Sequence, residues 1–227
     1  CPPWQISAKE IRHDKKKKIL YYDDAWLKLY DTPVFYFPKF FHPDPTVKRQ
    51  SGLLMPTVIS SSNLGSALNV PYFLAVADNK DFTINPRFYS NKKTLLQTEY
   101  REVSEKSKFS MDFSSLINDN NSNKSHFFSK YINKIDFFNF EETDLKFDLQ
   151  LSSDDDYLKT YKVTSPIIDN SRLLNTTFEI DAYRDDLTFN TNLSVIKDLS
   201  KNNNARYEFI YPSYNLSKQL SQIDLLE

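Results

Sequence analysis

Leu145, Phe147, Leu149 and Leu151 are separated by Lys146, Asp148 and Gln150, so that every second side chain is apolar. A strand sends successive side chains to opposite faces, and this spacing therefore describes a strand with one apolar and one polar face. The same alternation recurs in Phe82/Ile84/Pro86/Phe88 and in Leu187/Phe189/Thr191/Leu193/Val195. It predicts strands near 52–60, 66–76, 81–89, 94–103, 108–117, 125–138, 143–151, 176–184, 187–198 and 205–216. Segments of about 9–11 residues have the length of a tilted strand crossing a bilayer. The connections alternate as well. Those near 77–80, 104–107, 139–142 and 185–186 are short, whereas 118–124, 152–175 and 199–204 are longer and rich in Asn, Asp, Ser and Lys. Short turns on one side and long polar loops on the other are the layout of an outer-membrane barrel. The connections near 61–65 and 90–93 are short and depart from that layout. The expected fold is all-β, an antiparallel meander forming part of a large transmembrane β-barrel. A soluble β-sandwich or solenoid has the same periodicity and stays open at this point.

The first 45 residues read as shorter strands. Trp4, Ile6 and Ala8 alternate with polar residues, Lys15 to Lys18 mark a turn, and Val34-Phe35-Tyr36-Phe37 is an apolar run. Pro38, Pro43 and Pro45 then punctuate the chain and Lys48-Arg49-Gln50-Ser51-Gly52 follows, which sets a domain boundary near residue 48. No run approaches 18 apolar residues, so helical membrane spans are not expected, although barrel strands escape that filter. A net charge of −1 with both signs interspersed supplies no basic face for nucleic acid. Aromatic residues make up 15% of the chain, an enrichment that suits strands and membrane-interface girdles. With one cysteine, Cys1, there is no internal disulfide framework, and a free thiol or a partner outside this stretch are both possible. The absence of an initiating Met suggests an internal piece of a longer precursor.

From Cys1 to about Arg101 the sequence resembles the LPS-assembly protein LptD family, also called OstA or Imp. The residues that carry the resemblance are Cys1-Pro2-Pro3-Trp4, Ile11-Arg12-His13-Asp14 and Pro33-Val34-Phe35-Tyr36-Phe37-Pro38. They continue through His42-Pro43-Asp44-Pro45-Thr46-Val47-Lys48-Arg49-Gln50-Ser51-Gly52, Val70-Pro71-Tyr72-Phe73 and Thr83-Ile84-Asn85-Pro86-Arg87. Beyond residue 105 only the strand pattern matches. The resemblance implies that 1–48 end a periplasmic β-jellyroll and that 49–227 supply roughly the first ten strands of an incomplete barrel. It places the junction at Pro43, Pro45, Arg49 and Gly52. The implied function is lipopolysaccharide transport and assembly, with insertion into the outer leaflet through a lateral opening beside the first barrel strand. The implied partners are lipopolysaccharide, an LptE-type plug lipoprotein, an LptA-type periplasmic jellyroll bridge and outer-membrane lipid. The implied location is the outer membrane, with the N-terminal part in the periplasm. The resemblance also favours a disulfide from Cys1 to a cysteine beyond this chain.

Pro56 and Pro71 fall inside expected strands, where proline removes a ladder donor. Either each marks a strand end or, as the resemblance implies, they weaken pairing at the lateral gate. Lys15 to Lys18 read as a solvated turn or as a site for anionic headgroups, and Asp154-Asp155-Asp156 as a solvated loop or a divalent-cation site. His13, His42 and His126 lack metal-ligand spacing. No Ser/His/acid set, paired-carboxylate motif or Gly-rich loop is legible, so neither an enzyme nor a cofactor is expected. The competing readings are a porin or receptor barrel, a soluble β-jellyroll carrier, and a barrel lipid-modifying enzyme. The last requires a nucleophile and a His that the linear order does not assemble.

Overall fold

The computed structural model describes residues 4–44, 46–47, 49–61, 64–91, 93–117, 124–201 and 206–220. Cys1, Pro45 and the boundary near residue 48 lie outside the described residues.

Two antiparallel sheets account for nearly all of it. The smaller has the order β1-β2-β3, from Trp4–Asp14, Ile19–Leu29 and Thr32–Pro43. Its register shifts between Leu27 and Lys28, opposite Val34, and its alternation is interrupted again nearer the middle of β2. Asp24 takes φ 52°, opposite Pro38, and on the two sides of that break Phe37 and Phe40, three residues apart, turn toward the same cavity. Their rings lie 5.2 Å apart, and Tyr22 packs 5.5 Å from Phe40. One positive-φ residue thus lets a short sheet gather apolar side chains on a single face.

The larger sheet has twelve strands: β4 (Gly52–Leu53), β5 (Thr57–Ser61), β6 (Gly65–Asn69), β7 (Tyr72–Ala77), β8 (Lys80–Tyr89), β9 (Thr94–Val103), β10 (Ser107–Ile117), β11 (Ser125–Lys134), β12 (Glu142–Ser152), β13 (Leu173–Arg184), β14 (Leu187–Asp198) and β15 (Tyr207–Lys218). From β8 to β15 each strand pairs with its chain neighbour, the expected meander. The sheet is open at β5 and β15. The strands expected at 52–60 and 66–76 are each broken in two, into β4/β5 and β6/β7, and β6 and β7 pair in succession with β8. The segment 125–138 is strand only to Lys134.

Register separates the two faces cleanly. Asp81, Arg101, Ser110, Lys130, Asp148, Thr177 and Ser194 form one cross-strand row. One residue along, Phe109, Tyr131, Phe147, Phe178 and Leu193 form another. The apolar row stays exposed at Phe147, Phe178 and Leu193. The packed core lies instead on the polar face, where the connection 153–172 folds back over the strand ends. Within it, the single helical turn α1 (Tyr157–Thr160) buries Tyr157 and Leu158, joined by Tyr161, Val163 and Ile167. They meet Tyr89, Leu95, Leu116, Phe128 and Leu174 of the sheet. The long connection expected to be a solvated outer loop is therefore a lining of the polar face. The apolar residues between its acidic ends are what drive it there.

Gly65 closes the β5–β6 turn at φ +77°, a conformation glycine adopts without steric cost, and an added Cβ there would run into Ser90.

Candidate functional site

The chain passes from the small sheet to the large one through a clamp. Pro43, the last residue of β3, packs on Gly52, the first of β4, so closely that a Cβ at Gly52 would lie 3.2 Å from the proline Cδ. Between them, Asp44 sits 2.7 Å from His13 Nε2 and accepts the Thr46 N–H at 2.8 Å. The Asp44 N–H donates to the Lys18 carbonyl at 2.9 Å. Arg49 donates to the Asp78 carbonyl and, at 2.7 Å, to Asp81. Arg101 holds the other Asp81 oxygen at 2.7 Å.

The Thr46 N–H and hydroxyl, and after them His13, hold the Asp44 carboxyl below its ordinary 3.8. A carboxylate whose folded pKa is depressed contributes stability above its unfolded pKa, and that contribution is lost as pH falls through the folded value. Hydrogen exchange of a peptide spanning 42–47, corrected for intrinsic rate, should stay level from neutral pH down to about 3.8 and rise only below it. Asp44→Asn should show the raised exchange at neutral pH.

Beside the clamp lies an apolar cavity of about 240 Å³. Ile6, Leu27, Phe37, Phe40 and His42 line it from the small sheet, and Leu53, Leu54, Met55 and Pro56 from the break between β4 and β5. Leu54 and Met55 are about half exposed, so the apolar surface continues outward. Pro56 ends this break, and Pro71 lies in the break between β6 and β7. The two interruptions are neighbours, since the Leu54 N–H donates to the Pro71 carbonyl at 2.8 Å. The outermost strand is consequently held by two residue pairs between β4 and β7 and by the short β5–β6 ladder.

A second group of chemistry-bearing residues lies under the segment 153–172, and contrary to the sequence expectation it includes a serine, a histidine and an acid. Asp112 and Ser114 on β10 face His126 on β11, and all three are fully buried. His126 Nδ1 lies 2.7 Å from Ser114 Oγ. His126 Nε2 lies 3.2 Å from Asp112 Oδ1, off the line of a directed hydrogen bond. Tyr157 seals the cluster with its hydroxyl 2.6 Å from Ser114 Oγ, and burial pushes that hydroxyl up to about 12, so it remains protonated. Gln97 donates to both Asp112 oxygens and to the Thr164 carbonyl at 2.9 Å. Arg87, 3% exposed, reaches the Tyr161 carbonyl at 2.5 Å and Asn69 Oδ1 at 2.8 Å. With Tyr157 seated, the serine has no path to a substrate, and the arrangement fastens the segment to the sheet. Cross-strand register created it: Ser114 pairs directly with His126. Only that pairing could have revealed the set in the sequence.

Of the residues singled out from sequence, Pro43, Arg49 and Gly52 meet at the clamp, and Pro56 and Pro71 at the paired breaks. The acidic run does not converge. Asp154 pairs with Lys124 at 3.1 Å, and Asp155 with Lys197 at 3.1 Å and Arg206 at 2.9 Å. Asp156 precedes α1. These carboxylates secure the start of the inward segment rather than face one another around a cation.

Comparison with known proteins bears on the same stretch. A family model described as LptD protein matches residues 22–154, which runs from β2 through the strand breaks to the end of β12. Among curated relatives, the LPS-assembly protein LptD of Idiomarina loihiensis is 33% identical over 170 residues, covering 70% of this chain and 21% of the relative. That of Pseudoalteromonas translucida is 39% identical over 104 residues, 46% of this chain and 14% of the relative. That of Nitrosococcus oceani is 38% identical over 98 residues, 43% and 13%. The chain thus spans no more than about a fifth of the length of these relatives. Because the matched region takes in more than half of the chain, including Pro43 to Gly52, most of the cavity lining and both proline breaks, the chain belongs to the LptD family.

Proposed function

We propose that this chain is the part of a lipopolysaccharide assembly protein where the glycolipid passes from a periplasmic sheet to an outer-membrane barrel. Residues 1–48 end the periplasmic β-jellyroll, and 49–227 form the first strands of the barrel wall. The observation that carries the reading is the apolar cavity shared between β2–β3 and the interrupted first strand. Acyl chains leaving the small sheet meet Leu54 and Met55 without crossing a polar surface, and burying each CH₂ is worth about 0.8 kcal/mol. The exposed apolar row on the other strands suits contact with membrane lipid, and the opposed polar row suits an interior. An LptE-type plug lipoprotein fits that interior. An LptA-type jellyroll fits upstream of the small sheet, whose β1 edge is unpaired among the described residues. Pro56 and Pro71 make the outermost strand the weakest of the wall, and we read it as one side of a lateral opening.

The test is a photoreactive amino acid at Met55 or at Phe40 in the full-length protein. Illumination during active delivery should give lipopolysaccharide adducts at both positions. Normal delivery without adducts at either would remove the cavity from the route.

A further inference from the structure

The basic turn Lys15–Lys18 joins β1 to β2, and the fold fixes where it sits. Lys18 hands its carbonyl to Asp44, and Ile19 pairs with Pro43, whose ring lies on Gly52. The turn is therefore held at the first residue of the large sheet, on the side of its short turns, where Arg49 grips Asp78 and Asp81. It is also built rather than loose. Asp14 Oδ1 accepts the N–H groups of Lys16 and Lys17, both at 3.0 Å, and Lys18 closes the turn at φ 53°.

At the short-turn end of the large sheet most lysines are matched, Lys108 being the exception among the described residues. Lys80 lies within 3.9 Å of Glu102, Lys106 within 3.6 Å of Asp136, and Lys218 within 4.0 Å of Asp186, and Lys134 pairs with Glu142. Lys15–Lys18 are all exposed, and against their four cations the turn sets one carboxylate, Asp14, which takes the N–H groups of Lys16 and Lys17 and feels the Lys17 charge. Next to them, on the face away from the cavity, Arg12 lies 5.5 Å from the Tyr21 ring, and Tyr21 packs 6.5 Å from the exposed Phe41. A net-cationic turn beside the half-buried Tyr21 and the exposed Phe41 at a barrel rim has the composition of a membrane-interface contact.

We infer that the Lys15–Lys18 turn docks on the anionic phospholipid headgroups of the leaflet facing the short turns, fixing the small sheet against the membrane at the barrel's first strand. This rests on the barrel reading above. The lysine turn supplies the charge and Tyr21 and Phe41 the interfacial rings, while the cavity face stays turned from the surface. Docking there would stop the small sheet from swinging relative to the break at Leu54–Pro56.

The experiment is acylation of lysines by a water-soluble amine reagent, read by mass spectrometry, on the full-length protein in vesicles. Phosphatidylcholine vesicles are compared with an equimolar mixture of phosphatidylcholine and phosphatidylglycerol, and Lys9 on β1 is the internal reference. Each lysine near an anionic surface gains about fivefold in occupancy, so Lys15–Lys18 should react about fivefold more slowly in the anionic vesicles. High salt should erase the difference, since screening shortens the Debye length from about 8 Å to about 3 Å. Equal rates in the two vesicles would overturn the inference. So would protection that appears in neutral vesicles only when lipopolysaccharide is added, because the phosphates of the cargo would then be the partner. A photoreactive acyl chain that fails to label Phe147 or Leu149 would instead sink the barrel reading, independently of the turn.

Discussion

Tyr157→Ala should release the segment 153–172 from the sheet. Truncating a fully buried aromatic costs about 3–5 kcal/mol, and here it also removes the group that caps Ser114 and packs, tilted, 5.3 Å from Tyr161. The buried trio would then face water, and His126 and Asp112 would hydrate. The sheet itself should persist, since no ladder bond from β8 to β15 passes through Tyr157. Tyr157→Phe keeps the ring and loses only the hydroxyl, at a cost of about 0.5–1.5 kcal/mol, because Ser114 retains His126 as a partner. In the full-length protein, hydrogen exchange over 157–168 should rise strongly in the alanine variant and slightly in the phenylalanine variant. Protease should nick the connection in the first alone. If the alanine variant exchanged like wild type, Arg87 and Gln97 would be the true fasteners.

The double substitution Pro56→Ala, Pro71→Ala should strengthen the outermost strand. Each alanine restores one N–H, and a ladder bond is worth about 0.5–1.5 kcal/mol. Because Leu54 already bonds the Pro71 carbonyl, the two breaks are positioned to merge into one continuous pairing. Such losses at a single seam are too small to prevent a barrel from forming but large enough to make that seam the first to part. The double variant should therefore assemble and reach the membrane, yet deliver lipopolysaccharide poorly, and cells should become permeable to large hydrophobic antibiotics. Normal delivery by a well-assembled double variant would mean that these prolines only mark strand ends.

The meander was legible because each strand carries its own alternation, a property local enough to read without a partner. The breaks at Pro56 and Pro71 were visible as prolines, but not their adjacency, which depends on how β4 registers with β7. The polar flanks of the inward segment hide its apolar middle. Asp154–Asp156 and Asp169–Ser171 are polar, but Tyr157, Leu158, Tyr161 and Val163 between them follow the spacing of a buried turn. A second signal lay in the strands. Leu95-Leu96, Leu116-Ile117 and Phe127-Phe128 break alternation, and all lie at the end of β9, β10 and β11 nearest the long connections. Where both faces turn apolar at one end of neighbouring strands, something must cover the polar side there. The junction cavity was not legible, because the face switch at Asp24 depends on a backbone angle that the sequence does not announce.

Lys162 Nζ donates to the Ser60 carbonyl at 3.0 Å across a separation of 102 residues. In a chain that pairs strand by strand, the outermost strand has its two β4–β7 pairs and its short β5–β6 hairpin early, and gains this tie only when residue 162 arrives. Contacts closing so long a loop form late, because their entropy cost falls due before other bonds reward them. The first strand laid down is thus among the last to be fixed. Until then the β5 edge of the sheet is its least anchored, and a substitution at Lys162 should slow assembly more than it lowers the stability of the finished protein.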